Sequence, residues 1–134
     1  MIPDENTARA YVDSFCYEQW ADALRNFLGH SGETMIALEK KEQKYDKSTH
    51  PARFARIAKN WDKILDILNK ELPGSEEIAR ILHTIGVSTD AQDLGLDKET
   101  LKLTFMATKD IRNKYVLSHL AWDMGVLDEL CKQL

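Results

Sequence analysis

No segment of this chain alternates apolar and polar residues for long enough to make a strand, and nothing in it prepares a phosphate cradle. Neither GxGxxG nor GxxxxGKS/T is present, so the glycine turns that bring backbone N–H groups onto a nucleotide are missing. There are only three prolines and six glycines, most of them between periodic segments. The two cysteines, Cys16 and Cys131, form no CxxC pair and read as free thiols of a reducing compartment. No apolar run approaches the roughly 20 residues of a membrane helix, and the start MIPDENTARAY is not signal-like. A cytoplasmic protein is expected. A formal charge of −4 argues against nucleic acid or an anionic membrane as partner. His30, His50, His83 and His119 are scattered, with no HxxxH or HExxH spacing, so no metal ligand is assigned. His30-Ser31-Gly32-Glu33 has nucleophile-like letters without a strand-turn-helix elbow, and no catalytic or cofactor-binding residue is assigned either.

What the chain does contain is helical periodicity. The stretch 49–72 places Phe54, Ile57, Ala58, Trp61, Ile64, Leu65 and Leu68 at steps of three and four, one stripe of a long amphipathic helix. Ser48 or Thr49 can cap it, Pro51 suits its first turn, and Leu72-Pro73-Gly74 ends it. Arg53, Arg56, Lys59 and Asp62 occupy its other side. Trp61 is expected in the core, between this helix and the one beginning at Lys98.

A first helix is expected over 7–28, with Cys16 inside it, followed by a break at Gly29-His30-Ser31-Gly32 and a thin second helix over 33–44. Lys40, Lys41, Lys44 and Lys47 alternate with Glu39, Glu42 and Asp46 and read as a solvated face. Ser75 caps a short helix striped with Ile78, Ile81, Leu82 and Ile85, with His83 facing solvent. Thr89 with Gln92 has capping-box spacing around a turn closed by Gly95, and Asp97 caps a helix reaching at least Arg112. A further helix over 115–122 and a terminal turn or two after Gly125 complete the chain. His119 and Asp123, four apart, read as a surface pair. The fold class is therefore all-α, a single domain over 1–134 built as an irregular bundle of six to eight helices.

The cluster Lys109, Arg112, Lys114 and Tyr115, with Asp110 and Asn113 among them, is the one place where an anion would be gathered; the same residues can equally close a helix end through local ion pairs.

Three pieces carry a resemblance: Asp93-Leu94-Gly95-Leu96, the run 107–115 (ATKDIRNKY) and the run 122–130 (WDMGVLDEL). With ARFARIAKNW and ELPGSEEIARIL, they resemble the C-terminal helical domain of the sn-glycerol-1-phosphate dehydrogenases, in particular the bacterial arabinose-operon-associated type. The likeness covers residues 45–130; residues 1–44 are divergent N-terminal helices. Such a resemblance implies the iron-alcohol-dehydrogenase and dehydroquinate-synthase-like superfamily. It also implies a parent reaction in which dihydroxyacetone phosphate is reduced with NAD(P) and a divalent metal such as zinc or nickel.

The α/β domain that binds the cofactor in that family has no counterpart here, and His30-Ser31-Gly32-Glu33 departs from the family's HGE metal motif by an inserted residue. Hence no cofactor is expected in this chain. Three functions follow as expectations: a dehydrogenase C-terminal domain inactive alone, a stand-alone interaction or regulatory module, or an independent enzyme with an inter-helix site. The expected partners are a second copy or a separately encoded cofactor-binding domain. Tyr11, Phe15, Tyr17, Trp20, Phe27 and Leu28 exceed one stripe on the first helix, which makes it the expected homodimer surface.

Overall fold

The structure, a computed structural model, describes residues 2–134, and among these it is all-α. Eight helices have seven or more residues: α1 (Glu5–Ser14), α2 (Tyr17–Leu28), α3 (His30–Glu42), α4 (His50–Lys59), α5 (Trp61–Glu71), α6 (Ser75–Thr84), α7 (Lys98–Ala107) and α8 (Leu117–Asp123). A five-residue α9 (Leu127–Cys131) and a 3-10 turn (Gln92–Leu94) complete the path. No described helix is long and apolar enough to cross a membrane.

Both long helices expected from periodicity are in fact pairs. The first breaks at Phe15, whose backbone is extended (φ −61°, ψ 126°). That break swings the Phe15 ring onto Trp122 at 5.5 Å and Tyr45 at 4.7 Å between centroids. Cys16 thus lies at the exposed junction ahead of α2, not inside a helix. Asp4, ahead of the expected start, caps α1 by accepting the Thr7 amide at 2.7 Å.

The second long helix breaks at Asn60 (φ −108°, ψ 15°), where the side-chain amide donates to the Arg56 carbonyl at 2.8 Å. An asparagine that engages its own backbone in this way competes with helix continuation. The break redirects Trp61. It is half-buried where a core position was expected, and it packs with Ile64 beside Ile57, Leu120 and Met124, on α4 and at the end of α8.

Only Gly29 (φ 54°) separates α2 from α3. Gly32 is helical and buried, and a Cβ there would collide with the Leu24 carbonyl. Its missing side chain is what lets α3 lie directly against α2. Gly95 (φ 70°) closes the 3-10 turn as expected, and at the start of that turn the Gln92 amide donates to the Asp90 carboxylate at 2.9 Å, not to Thr89.

Asp97 caps α7 by accepting the Thr100 amide at 2.7 Å, as its position implied. That helix stops at Ala107, five residues short of Arg112. The Thr108 hydroxyl takes the Phe105 carbonyl at 2.6 Å, and the Asp110 amide folds back on Ala107 at 2.9 Å. Residues 108–114 are consequently turns and bends, and α8 begins only at Leu117.

Trp122, 1% exposed, is the hub of the core, with Val12, Tyr45, Ala121, Leu127 and Cys131 buried around it. Tyr11, Phe15 and Trp20 pack onto this cluster from α1, the junction and α2. Of the residues expected on a dimer surface, Tyr11, Phe15 and Trp20 are thus partly buried against this core, and Tyr17 and Leu28 pack on a second cluster around Ala21, Leu24 and Ile36. A surplus of rings over one stripe arises because the broken helix presents two faces to one core. Surface apolar groups are found elsewhere. Neither α5 nor α6 buries a single residue, and Ile67 (58%), Ile78 (44%), Ile81 (48%) and Ile85 (67%) stand in solvent.

Candidate functional site

The helix starts and bends just described carry a set of polar side chains inward. Glu39, His50, Lys109, Asp110, Ser118, His119 and Asp123 are all buried. An ionised side chain in that position is tolerated only when paired and hydrogen-bonded. Two aspartates organise the pairing.

Asp110, 1% exposed, is held by the abrupt end of α7. Its Oδ2 accepts from Trp20 Nε1 at 3.0 Å and from Lys109 Nζ at 2.9 Å. The Tyr45 hydroxyl donates to its Oδ1, and Lys44 Nζ lies 4.0 Å from the same oxygen. Lys44 also donates to the Lys109 carbonyl at 3.1 Å. Its side chain is only 11% exposed, so Lys44 does not belong to the solvated face that its charged neighbours suggested. Glu39, in the same run, also turns inward and accepts the Tyr45 amide at 3.2 Å. Burial pushes the Tyr45 hydroxyl well above its usual range, and the Asp110 charge adds to that. Lys44 is lowered by burial, against the opposing pull of Asp110.

Asp123, wholly buried, closes α8. Arg53 Nε reaches both carboxylate oxygens, at 2.9 and 2.8 Å, and the Tyr115 hydroxyl donates to Oδ2 at 2.6 Å. His50 Nε2 lies 2.9 Å from the Asp123 carbonyl oxygen. Arg53, expected on the solvent side of its helix, is thus the cation that neutralises this carboxylate. Tyr115 is raised by burial first and by the Asp123 charge second.

His119 stands between these two groups. Its ring stacks on Tyr115 at 4.9 Å and on Tyr45 at 6.2 Å, with Trp122 edge-on at 6.0 Å. Both ring nitrogens are buried and have no hydrogen-bond partner in the protein. Burial lowers its pKa to about 4, outweighing the attraction of Asp123. The surface pair expected from the four-residue spacing is therefore not formed: Asp123 is saturated by Arg53 and Tyr115, and His119 is a neutral ring in an aromatic box.

Ser118, His119 and Asp123 have the letters of a nucleophilic triad without its geometry. Ser118 Oγ is engaged by the Thr108 hydroxyl at 2.8 Å, and His119 bonds neither to it nor to Asp123. Each of the two tyrosines, Tyr45 and Tyr115, is likewise committed to a carboxylate. What the cluster can do is fix α4, α7 and α8 against the N-terminal helices in one register.

The four residues suggested for an anion divide between inside and outside. Lys109 (4% exposed) is buried against Asp110, Tyr115 is half-exposed (52%) with its hydroxyl on Asp123, and Arg112 and Lys114 are exposed on the connecting turn. Among the described residues, no group of three His, Cys, Asp or Glu side chains comes together to hold a metal ion. His30, which the departure from the metal motif left unassigned, is exposed at the start of α3.

Sequence reasoning missed Asp110, Asp123, Arg53, Lys44 and His50 as one buried system. One local signal was present: Asp123 is a lone charge in LAWDMGVL, and a carboxylate in such company needs a buried cation. Comparisons with protein-family models, with curated proteins and with solved structures return no match, so the fold and this buried network are the observations on which a functional reading rests.

Proposed function

We propose that this chain is a helical accessory domain of an sn-glycerol-1-phosphate-dehydrogenase-like oxidoreductase, silent alone, that works by docking onto a separately encoded cofactor-binding domain. The observation that carries the docking half is the unpartnered stripe of α6. Ile78 and Ile81 on α6, which buries none of its residues, and Ile85 at its C-cap are all exposed. Apolar surface of this kind marks an interaction site more often than free surface. A second apolar surface supports the same reading. The groove of about 730 Å³ between α4–α5 and α7–α8, lined by Ile57, Ile64, Leu68, Phe105, Val116 and Leu117, is open to solvent. The silent half is supported by the buried network, in which both aspartates are committed to cationic and tyrosine partners. The dehydrogenase identity rests on the residue pattern of 93–96, 107–115 and 122–130.

The test is oxidation of NADH or NADPH dependent on dihydroxyacetone phosphate, in zinc or nickel, for the chain alone and mixed with a cofactor-binding domain encoded beside it. The chain alone is expected to give no turnover, and the mixture is expected to give turnover that Ile81→Glu with Ile85→Glu removes. Activity of the repurified chain by itself would overturn the silent half. An active mixture indifferent to the α6 variant would overturn the docking surface.

A further inference from the structure

Apart from the docking surfaces, the molecule has a cavity of about 320 Å³ between α1–α2 and α7–α9. Its walls are Phe15, Trp20, Phe27, Leu103, Met106 and Trp122, and Lys109 also reaches it. Cys16 and Gln19, both exposed, line it as well. We propose that this cavity binds a small, neutral, planar apolar molecule carrying one hydrogen-bond acceptor, with Lys109 meeting that acceptor. The inference is independent of the docking reading above.

Size comes first. An apolar cavity of about 150 Å³ holds benzene, so one about twice as large accepts a molecule of two or three fused rings. Rings on several walls offer faces and edges for stacking, which favours a planar occupant over a branched aliphatic one. Small-molecule sites are mostly apolar with a few placed polar groups, and this cavity has that composition.

Charge selects a neutral occupant. The Lys109 ammonium is already neutralised by Asp110 at 2.9 Å. Near it, Lys44 is opposed by Glu39, so the floor offers an anion no net positive charge. Asp128, accepting the Tyr11 hydroxyl at 3.1 Å, adds a negative group to the lining. Lys109 nonetheless has donor capacity left. Two of its three protons go to the Met106 carbonyl at 3.0 Å and to Asp110, and the Tyr45 ring is 5.6 Å from the nitrogen, too far for an N–H bond to the ring face. One carbonyl oxygen on a ligand matches one remaining proton.

The probe pair is 1-indanone and indane, which share a two-ring shape and differ by the carbonyl. In proton–nitrogen correlation spectra of the full chain, titration with 1-indanone is expected to shift the indole signals of Trp20 and Trp122 saturably, leaving Trp61 unmoved. It should also slow alkylation of Cys16. Indane is expected to bind about tenfold more weakly, the discrimination of one charge-assisted hydrogen bond. Lys109→Met should erase that difference. Should that variant fail to fold, Ala23→Trp, at an exposed position of α2 on the cavity wall, carries the test by blocking both probes. Absence of saturation, equal affinity for the two probes, or equal shifts at Trp61 would each overturn the proposal.

Discussion

At the scale of single residues, His119 is the buried group whose ionisation the fold opposes within the ordinary range of pH. It is 3% exposed, lies among three aromatic rings, and has Asp123, Arg53, Lys44 and Asp110 as its charged neighbours. Its folded pKa of about 4 lies below the ordinary value of 6.5. The unfolded chain therefore binds a proton at His119 that the folded one refuses. Stability from this residue is complete above pH 6.5, falls as pH drops through the window, and reaches its floor near pH 4. At 1.36 kcal/mol per unit the whole effect is about 3 kcal/mol. Urea unfolding followed from pH 7 to pH 4 should show that decline, and His119→Phe should flatten it while leaving stability at pH 7 unchanged or higher. Phenylalanine keeps the ring stacking and removes two unpaired nitrogens. A variant as acid-sensitive as the parent protein would rule His119 out as the source.

Single residues are also where the sequence was hardest to read. Arg53 and Lys44 carry the same letters as Arg56 and Lys41, which stay exposed, and helical phase for the arginines and charge alternation for the lysines assigned all four to solvent. What draws two of them inward is a carboxylate far along the chain: Asp123 lies 70 residues from Arg53, and Lys44 hydrogen-bonds 65 residues away. Periodicity is local, and charge pairing across the core is not. The caps at Asp97 and Gly95, whose partners are within three residues, were legible for the same reason.

Among the helices, boundaries depend on which residues can turn the chain. Gly86 and Gly125 both follow short helices and both have positive φ, 77° and 72°. They differ in surroundings. A Cβ at Gly86 meets open space, whereas at Gly125 it would approach the Thr7 carbonyl oxygen to 2.8 Å and the Ala8 Cα to 3.0 Å. Gly86→Ala is expected to cost about 1 kcal/mol through backbone conformation alone. Gly125→Ala should cost a further 1–3 kcal/mol or so, because α1 must move away from the α8–α9 turn. Chemical denaturation of the two variants measures the difference, and equal losses would mean that α1 does not press on Gly125. The helices themselves were legible because apolar spacing persists over each of them. The breaks at Phe15 and Asn60 were not, since neither residue is a strong helix breaker and each break is imposed by where a ring or a side-chain amide finds its partner.

Considered whole, the molecule divides into a polar-pinned half and an open one. Helices α1–α4 and α7–α9 share the Trp122 core and the two aspartate clusters, while α5 and α6 contain no buried residue. An amphipathic helix gains most of its stability from the surface that covers its apolar stripe. In a solution of the isolated chain the nearest such surface is another copy, and two α5–α6 arms related by a two-fold axis would cover each other's isoleucines. Self-association between micromolar and millimolar concentration is therefore expected through Ile78, Ile81 and Ile85, whereas Tyr11, Phe15 and Trp20 pack on the Trp122 core. Sedimentation equilibrium should report a mass above the monomer for the parent protein and the monomer mass for Ile81→Glu with Ile85→Glu. Because both positions are exposed, the thermal midpoint of the variant's core should match that of the parent at low concentration. A parent protein that stays monomeric throughout, or a variant that assembles equally well, would show that the stripe tolerates water and that α6 is not the surface by which this chain meets its partners.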